Sequence, residues 1–190
     1  MSKIFDPKKL QKLNNPERLK MFPIKDVITL LELKNPEAII DLGAGTGFFS
    51  IPFAESFPEC VISACDISPV MIDWMEQNVL PTHDNIQAIL MKNNDIPLEN
   101  EFADFLFMVN LHHELDEPLE TLKECFRLIK PYGKIAISDW KKEKTEFGPP
   151  LEHRCEPADV LEQLSKSGFL NINVHKHFQN NLLITAQKNA

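Results

Sequence analysis

The chain has 190 residues, of which 43% are hydrophobic and 25% are charged, a composition typical of a globular protein with one sizeable core. Its formal net charge of −8 argues against a nucleic-acid backbone as the main partner. We find neither an apolar segment after Met1 nor a continuous apolar run of about 18 residues, so we expect no signal peptide and no membrane span. The four cysteines form no C-x-x-C pair, which favours reduced thiols and a cytoplasmic location.

Seven Lys and Arg residues within the first 25 positions form a basic arm, which we interpret as solvated. After this arm, hydrophobic periodicity and turn residues predict helices that alternate with strands. The predicted helices cover residues 23–33, 48–56, 69–79, 118–128 and 157–167. The predicted strands cover residues 38–41, 61–65, 86–91, 104–109, 134–138, 172–178 and 182–187.

The alternation of strands and helices predicts an α/β protein with a doubly wound, mostly parallel sheet of seven strands. Ser68 is expected to cap the helix that begins at Pro69. Pro131-Tyr132-Gly133 is expected to stop the 118–128 helix and to form a turn. Asn180-Asn181 predicts a tight turn between the last two strands, which would then form a C-terminal antiparallel hairpin.

The stretch Ala38-Ile-Ile-Asp-Leu-Gly-Ala-Gly-Thr-Gly47 places three glycines at alternate positions directly after the first strand. Glycine has no Cβ and tolerates positive φ, so a ligand can approach the backbone closely. A dinucleotide loop, G-x-G-x-x-G, would have its third glycine where this chain has Phe48, whose ring crowds the place of a pyrophosphate. The loop therefore favours a nucleoside without phosphates, and Asp41 favours a positively charged one.

Asp41 followed by x-G-x-G-x-G resembles the first motif of the class I methyltransferases that use S-adenosylmethionine. The resemblance extends from about Pro36 to the C-terminus and includes the terminal hairpin. It implies a Rossmann-like methyltransferase fold, with residues 1–35 as a helical cap and residues 36–190 as the S-adenosylmethionine-binding domain. It also implies methyl transfer to a small-molecule acceptor, with S-adenosylhomocysteine as the product. The middle of the chain is similar to the branch that contains quinone-biosynthesis and arsenite methyltransferases, but one loop thiol, Cys155, is too few to chelate arsenite.

Ligands of open α/β sheets bind at the carboxyl ends of the strands, so we expect the cofactor there. Asp66 ends the second strand, where a carboxylate can accept hydrogen bonds from both ribose hydroxyls, although it could instead cap the next helix. In the third loop, Lys92 stands where relatives have an acid, which leaves Asn94 and Asp95 as candidates for adenine, or an ordinary polar loop. The resemblance further implies that Arg18 or Lys12 pairs with the cofactor carboxylate. The predicted cofactor-binding residues are Asp41, Gly43, Ala44, Gly45, Asp66, Ile67, Asn94, Asp95 and Asn110.

Two adjacent histidines, His112 and His113, follow the fourth strand, where relatives often have a similar run. His113 is the best candidate for a general base, because the pKa of an unperturbed imidazole lies near neutrality, and Asp139 is the second candidate. The H-E-x-x-H motif is absent, and the strand histidines His175 and His177 lack a third ligand, so we expect no metal site.

The connection from Trp140 to Glu156 is long for a compact domain, and such connections are often functional. We expect it to form a partial lid, and we expect Trp140, His153 and Arg154 to line the substrate pocket. A solvated charged loop is the alternative interpretation, above all for the segment of residues 141–146.

Two other functions stay open from the sequence. An NAD-dependent oxidoreductase would share the sheet and Asp66, but the G-x-G-x-x-G spacing and a Tyr-x-x-x-Lys pair are missing, since Tyr132 is the only tyrosine. A non-catalytic module that binds S-adenosylmethionine would keep the glycine loop and lack a formed acceptor pocket.

Overall fold

The structure, a computed structural model, describes residues 10–145, 148–176 and 181–190 of the chain. The beginning of the basic arm, His177, and the turn residue Asn180 lie outside the described residues. Within them, no helix has the length and apolar character that a bilayer crossing requires.

Seven strands of the described chain form one sheet, in the order β3-β2-β1-β4-β5-β7-β6. Neighbouring strands are parallel from β3 to β5, and β7 runs antiparallel to both β5 and β6. The strands are β1 (Ala38–Leu42), β2 (Val61–Asp66), β3 (Ile86–Leu90), β4 (Ala103–Val109), β5 (Ile129–Trp140), β6 (Leu170–His175) and β7 (Asn181–Gln187). The predicted α/β class, the doubly wound parallel sheet and the antiparallel C-terminal strands are confirmed.

Helices cover both faces of this sheet. They are α1 (Leu10–Leu13), α2 (Ile24–Leu30), α3 (Ser50–Ser56), α4 (Pro69–Asn78), α5 (Pro118–Leu128) and α6 (Pro157–Lys166). Short 3-10 turns lie at Pro16–Lys20, Leu80–Thr82, His112–Glu114 and Leu151–His153.

Side chains alternate between the two faces of the central strands, as the period of two in a strand requires. Ile39 of β1 packs in one core cluster with residues of α2, α3 and α4. Ile40, the next residue, packs in a second cluster with residues of α5 and α6. Because both faces are covered, β1 is buried along its whole length. Its carboxyl end is thereby held in a rigid frame, where the glycine loop begins.

One predicted turn is wrong. Pro131-Tyr132-Gly133 lies inside β5, which begins at Ile129 directly after α5. Tyr132 adopts a φ of +65° and its N–H donates to the carbonyl oxygen of Lys188 at 3.0 Å, so the irregular stretch pairs with the chain beyond β7. A Cβ on Gly133 would lie 2.9 Å from the Lys130 carbonyl oxygen, which explains the glycine. Pairing with a distant strand thus overrides the local turn signal.

Several element ends also differ from the predicted ones by one to three residues. The helix predicted over 23–33 ends at Leu30, because Leu31 ends the helical geometry and Glu32 adopts a φ of +48°. The helix predicted from residue 48 begins at Ser50, and β6 begins at Leu170, two residues earlier than predicted.

The N-terminal segment before α2 shares the core of the sheet domain. The ring of Phe22 stacks on Phe107 of β4 with 5.5 Å between ring centroids. It also meets the edge of Phe49 at 5.9 Å and lies 6.3 Å from Phe53. Aromatic pairs of this kind contribute stability beyond the burial of their area. Phe22 thereby fixes the segment that runs over the carboxyl end of β1.

Candidate active site

A cleft of about 460 Å³ opens at the carboxyl ends of β1, β2 and β4. Ligand pockets occur at this position in open α/β sheets, next to the point where the strand order reverses. Of the residues predicted to bind a cofactor, those that line the cleft are Gly43, Gly45, Asp66, Ile67, Asn94 and Asn110. The predicted residues outside its lining are Asp41, Ala44, Asp95, His113, Asp139, Trp140, His153 and Arg154.

The floor of the cleft is the glycine loop, which hydrogen bonds to the end of β2. The N–H groups of Gly43 and Ala44 both donate to the carbonyl oxygen of Cys65, at 2.8 and 3.0 Å. Gly43 has a φ of +72°, and a Cβ there would lie 2.8 Å from the side chain of Leu111. Only glycine combines this backbone conformation with this close contact.

Asp66 joins the loop to the start of α4. One carboxylate oxygen, Oδ2, accepts the N–H of Gly45 at 2.8 Å, and Oδ1 accepts the N–H of Ser68 at 2.9 Å. Burial raises the pKa of this carboxyl group, while the backbone donors oppose that rise. The carboxylate is therefore held rigidly at the cleft surface, where its remaining lone pairs can accept from a ligand.

The predicted side-chain cap of α4 is wrong. Ser68 occupies the N-cap position, but its side chain makes no capping hydrogen bond. Asp66 accepts the Ser68 N–H across two residues, which is the local bond that Asp side chains make at turns. Asp66 therefore shapes the helix start and faces the cleft at the same time.

Asp41 lies beneath the loop and is only 2% exposed. Its Oδ2 atom accepts the hydroxyl of Ser50 at 2.6 Å. Burial raises the pKa of this carboxyl group to about 7, and the charges of Arg18 and Asp66 act on it in opposite directions. Asp41 is thus placed to influence a ligand by charge and not by direct contact.

Arg18 brings a cation to the cleft from the N-terminal segment. Its Nη1 atom donates to the carbonyl oxygen of Leu13 at 2.5 Å. Its guanidinium carbon lies 4.8 Å from the ring centre of Phe49 and 5.5 Å from that of Phe48. Burial lowers the pKa of Arg18 to about 10, so the side chain is still charged at neutral pH. Phe48, which stands where a dinucleotide loop has glycine, therefore helps to hold a cation.

Residues 10–21 run over the glycine loop and complete one wall. Leu13 lines the cleft and approaches Gly45 closely. The hydroxyl of Thr46 donates to Oδ1 of Asn14 at 2.9 Å. At the end of the segment, the hydroxyl of Ser138 donates to the carbonyl oxygen of Met21 at 3.3 Å. Of the two cations predicted for the cofactor carboxylate, Arg18 lines the cleft and Lys12 does not.

The loop after β3 forms the opposite wall with Asn93 and Asn94. The Asn94 side chain is fixed from the α5 side, since it accepts the hydroxyl of Thr121 at 2.6 Å and donates to Glu117 at 3.2 Å. Asp95 forms a tight bridge with Lys92 through the backbone. Sequence reasoning did not select Asn93; its φ of +50° fits the tolerance of Asn for left-handed turns, which was the available signal.

Asn110 also has positive φ, +55°, at the end of β4. Its N–H donates to the carbonyl oxygen of Ser138 at 2.7 Å, and its Oδ1 accepts Nδ2 of Asn181 at 2.6 Å. Asn181 is fully buried at the start of β7 and was not predicted as a supporting residue. Its contact with Asn110 spans 71 positions of the chain, so no local pattern indicates it.

The two predicted catalytic residues form a buried pair behind the cleft. Nδ1 of His113 lies 2.8 Å from Oδ1 of Asp139, and the His113 N–H donates to Oδ2 of the same carboxylate at 3.0 Å. Nε2 of His113 lies 3.7 Å from Oε1 of Glu114, which lines the cleft. The carboxylate fixes the ring so that Nε2 is the nitrogen directed away from Asp139.

The residues predicted for substrate binding are not brought to the cleft. Arg154 is buried, and its guanidinium donates to the carbonyl oxygens of Pro149, Lys141 and Glu143 at 2.8–3.0 Å. Its Cζ atom lies 5.5 Å from the ring centre of Trp140. Arg154 therefore stabilises the described part of this loop. His153 ends a 3-10 turn on the outer side of the loop and is exposed.

The mouth of the cleft includes residues that the sequence reasoning missed. They follow the histidine pair and begin α5: Glu114, Leu115, Asp116, Glu117 and Thr121. No cluster of three or more His, Cys, Asp or Glu side chains suited to a metal ion occurs among the described residues.

Comparisons with known proteins agree with this geometry. Residues 39–133 match a family model described as a methyltransferase domain. The chain is 33% identical over 105 residues to a malonyl-[acyl-carrier protein] O-methyltransferase from Hahella chejuensis, covering 54% of this chain and 36% of that protein. It is 27% identical over 124 residues to a demethylmenaquinone methyltransferase from Chlamydia muridarum, covering 64% of this chain and 52% of that protein. The chain thus spans about half or less of the length of these curated relatives.

Among solved structures, the fold is similar to that of a methyltransferase from Aquifex aeolicus described as dependent on S-adenosylmethionine. The TM-score is 0.89 and the sequences are 31% identical, over 97% of this chain and 99% of the other. The likeness therefore includes the N-terminal segment and the C-terminal strands.

The buried carboxyl group of Asp41 predicts a pH-dependent stability difference. Because its pKa of about 7 in the folded chain exceeds the value of an unfolded Asp, the native state binds the proton more tightly. The free energy of unfolding of the wild-type protein should therefore fall relative to that of Asp41→Asn as the pH rises from about 4 through 7. From pH 5 to pH 8, the difference in the free energy of unfolding between the variant and wild type, measured by urea unfolding, should change by about 2–3 kcal/mol in favour of the variant. Exposed Asp73→Asn is the control, and a difference that does not change with pH would contradict the assignment.

Proposed function

The chain belongs to the class I methyltransferases that depend on S-adenosylmethionine, and we propose that it transfers the methyl group to a small-molecule acceptor. The observation that carries the proposal is the joining of the glycine loop, the Asp66 carboxylate and the Arg18 cation in one cleft. The cleft volume of about 460 Å³ falls within the range of about 300–1,000 Å³ for small-molecule sites.

The residues present fit this cofactor at each of its chemical parts. Asp66 offers carboxylate oxygens to the ribose hydroxyls, and Ile67, which is 40% exposed at the cleft, offers an apolar surface to adenine. The Asn93 and Asn94 loop offers amide groups to the edge of the base. Arg18 offers a cation to the amino acid carboxylate. Asp41, whose raised pKa of about 7 leaves it partly ionised at neutral pH, lies beneath the loop, where a ligand with a positive sulfur would favour the ionised form.

S-adenosylmethionine supplies a methyl group that its positive sulfur already activates. The chain's own task is therefore to align the acceptor, to exclude water and to remove a proton where the acceptor has one. Residues 10–21 cover the glycine loop and serve the first two tasks; we propose residues 1–35 as a cap on the domain formed by residues 36–190.

His113 is proposed as the proton acceptor, with Asp139 as the residue that positions it. Asp139 accepts both the N–H and Nδ1–H of His113, which leaves Nε2 to take a proton from the acceptor side. The same carboxylate stabilises the imidazolium that results. Glu114, whose Oε1 atom lies 3.7 Å from Nε2 of His113, lines the cleft, so we propose that a different side-chain rotamer of Glu114 would expose Nε2 to the cleft.

The charges at the cleft mouth limit the acceptor class. Glu114, Asp116 and Glu117 line it, while Arg18 stands on the opposite, N-terminal side. Like charges disfavour an anionic acceptor here, so a neutral or cationic small molecule fits better than a free carboxylate. The net charge of −8 supports a small molecule over a nucleic acid. A cytoplasmic location with reduced thiols stays a prediction.

Transfer of labelled methyl from S-adenosylmethionine to a panel of neutral, cationic and anionic acceptors tests the function. We expect incorporation into a neutral or cationic acceptor and formation of S-adenosylhomocysteine in equal amount. Binding of the cofactor without transfer to any acceptor would instead support a non-catalytic binding module. Binding of NAD in place of S-adenosylhomocysteine would favour the oxidoreductase alternative.

Asp66→Ala should weaken binding of S-adenosylhomocysteine, because the ribose loses a charge-assisted acceptor and Gly45 loses its hydrogen-bond partner. The expected loss is about 1.5–3 kcal/mol, or about 10- to 150-fold in Kd by calorimetry. The matched control is Asp73→Ala on the exposed side of α4, which should bind as wild type does. An unchanged Kd for Asp66→Ala would remove Asp66 from the site.

Arg18→Gln should show whether Arg18 binds the amino acid end of the cofactor or only supports binding of the nucleoside end. S-adenosylhomocysteine carries a carboxylate, whereas 5′-methylthioadenosine has the same nucleoside without the amino acid. We expect the variant to bind the former about 10- to 100-fold more weakly and the latter nearly as wild type does. Lys20→Gln, an exposed neighbour in the same turn, is the control. Equal weakening for both ligands would mean that Arg18 only supports the fold of the cleft.

A further inference from the structure

Asn181 is a polar side chain at the start of β7, where the next three residues are two leucines and an isoleucine. It is fully buried. Burying a carboxamide costs free energy unless its donor and acceptor atoms find partners. Nδ2 of Asn181 has two partners, whereas its Oδ1 atom is buried and has none among the described residues. An apolar side chain would avoid this cost, so the hydrogen bonds of Nδ2 are what distinguishes an asparagine here.

The hydrogen bonds of Asn181 belong to a closed ring of four residues beside the cleft. Nδ2 of Asn181 donates to Oδ1 of Asn110 at 2.6 Å and to Oγ of Ser138 at 3.2 Å. The Ser138 hydroxyl donates to the carbonyl oxygen of Met21 at 3.3 Å. Nδ2 of Asn110 donates to the sulfur of Met21 at 3.6 Å, which closes the ring. The ring therefore joins β5, β7 and the residue after β4 to the N-terminal segment.

Two members of the ring connect it to the cleft. Asn110 lines the cleft with a φ of +55°, a conformation that few residues other than glycine adopt. Its N–H donates to the Ser138 carbonyl oxygen and its carboxamide belongs to the ring, so its own carbonyl oxygen is the polar group left to a ligand. The Met21 N–H donates to the carbonyl oxygen of Arg18 at 2.9 Å. The ring thus also supports the turn that carries the cation of the cleft.

We propose that Asn181 is a positioning residue for cofactor binding, which acts through Asn110. Asn181 is not part of the cleft lining, so it reaches a ligand only through its neighbours. Its hydrogen bond fixes the Asn110 carboxamide and thereby holds the Asn110 backbone in its left-handed conformation at the cleft. The inference rests on the proposed function, because the ligand that Asn110 meets is S-adenosylmethionine or its product.

Calorimetric binding of S-adenosylhomocysteine to the full chain tests the proposal. Asn181→Leu removes the carboxamide and keeps a similar volume, so it should raise Kd about three- to tenfold, the effect of about one hydrogen bond. The matched control is Thr185→Val, which removes a buried hydroxyl from the same strand, where it bonds to His175 and lies outside the cleft lining. The control should bind as wild type does. An unchanged Kd for Asn181→Leu would overturn the proposal.

A double-mutant cycle distinguishes positioning through Asn110 from a general loss of structure. Asn110→Gly removes the carboxamide that Asn181 binds but leaves a positive φ accessible to the backbone. Adding Asn181→Leu to this variant should raise Kd by less than about twofold, because the interaction that it removes is already absent. The same three- to tenfold rise in both backgrounds, about the size of one hydrogen bond, would mean that Asn181 does not act through Asn110.

Hydrogen exchange without ligand separates this inference from the proposed function. Asn181→Leu should speed exchange of the Asn110 and Met21 amides, whose hydrogen bonds adjoin the ring, whereas Thr185→Val should not. If wild type fails to bind S-adenosylhomocysteine, the proposed cofactor is wrong, and exchange alone then decides whether Asn181 holds Asn110. If circular dichroism shows that Asn181→Leu does not fold, Ser138→Ala opens the ring in its place in both measurements. Unchanged exchange of both amides would overturn the proposal.

Discussion

The hydrogen bond from the Gly45 N–H to the Asp66 carboxylate is the interaction on which the site depends. It connects the loop after β1 to the end of β2, next to the bonds of Gly43 and Ala44 with the Cys65 carbonyl. To make these hydrogen bonds, the loop backbone must lie close to the end of β2. Glycine permits this because it adopts positive φ and has no Cβ that would meet neighbouring side chains. These hydrogen bonds hold the loop against the end of β2 and fix the carboxylate beside it before any ligand binds.

The charged residues at the cleft determine which ligands the proposed function favours. Arg18, Asp41 and Asp66 lie at the glycine-loop end, where two acids and one cation match a zwitterionic ligand with a positive sulfur. Phe48 stands where the dinucleotide motif has its third glycine, and the Phe48 and Phe49 rings pack against Arg18. The same aromatic side chains thus disfavour a pyrophosphate and hold the cation. In the proposed function, the acidic residues at the start of α5 would disfavour anionic acceptors at the other end of the cleft.

The features that follow from local chemistry could be predicted from the sequence. The glycine spacing and Asp66 were found because strand ends of parallel sheets meet at one edge, and the alternation of elements predicted the sheet. Contacts between distant segments could not be read in this way. Pairing with the chain after β7 places Tyr132 inside a strand, and the Ser68 side chain does not cap α4, while Asp66 accepts the N–H of Ser68. Arg154 was predicted at the substrate, yet the carbonyl groups of its own loop bind it.

The most direct measurement is a crystal structure of the chain with S-adenosylhomocysteine. Our account predicts the ribose hydroxyls on the Asp66 carboxylate, adenine between Ile67 and the Asn93 loop, and the ligand carboxylate at Arg18. A nucleoside bound away from the Gly45 and Asp66 contact, or a phosphate group seated on the loop, would contradict it.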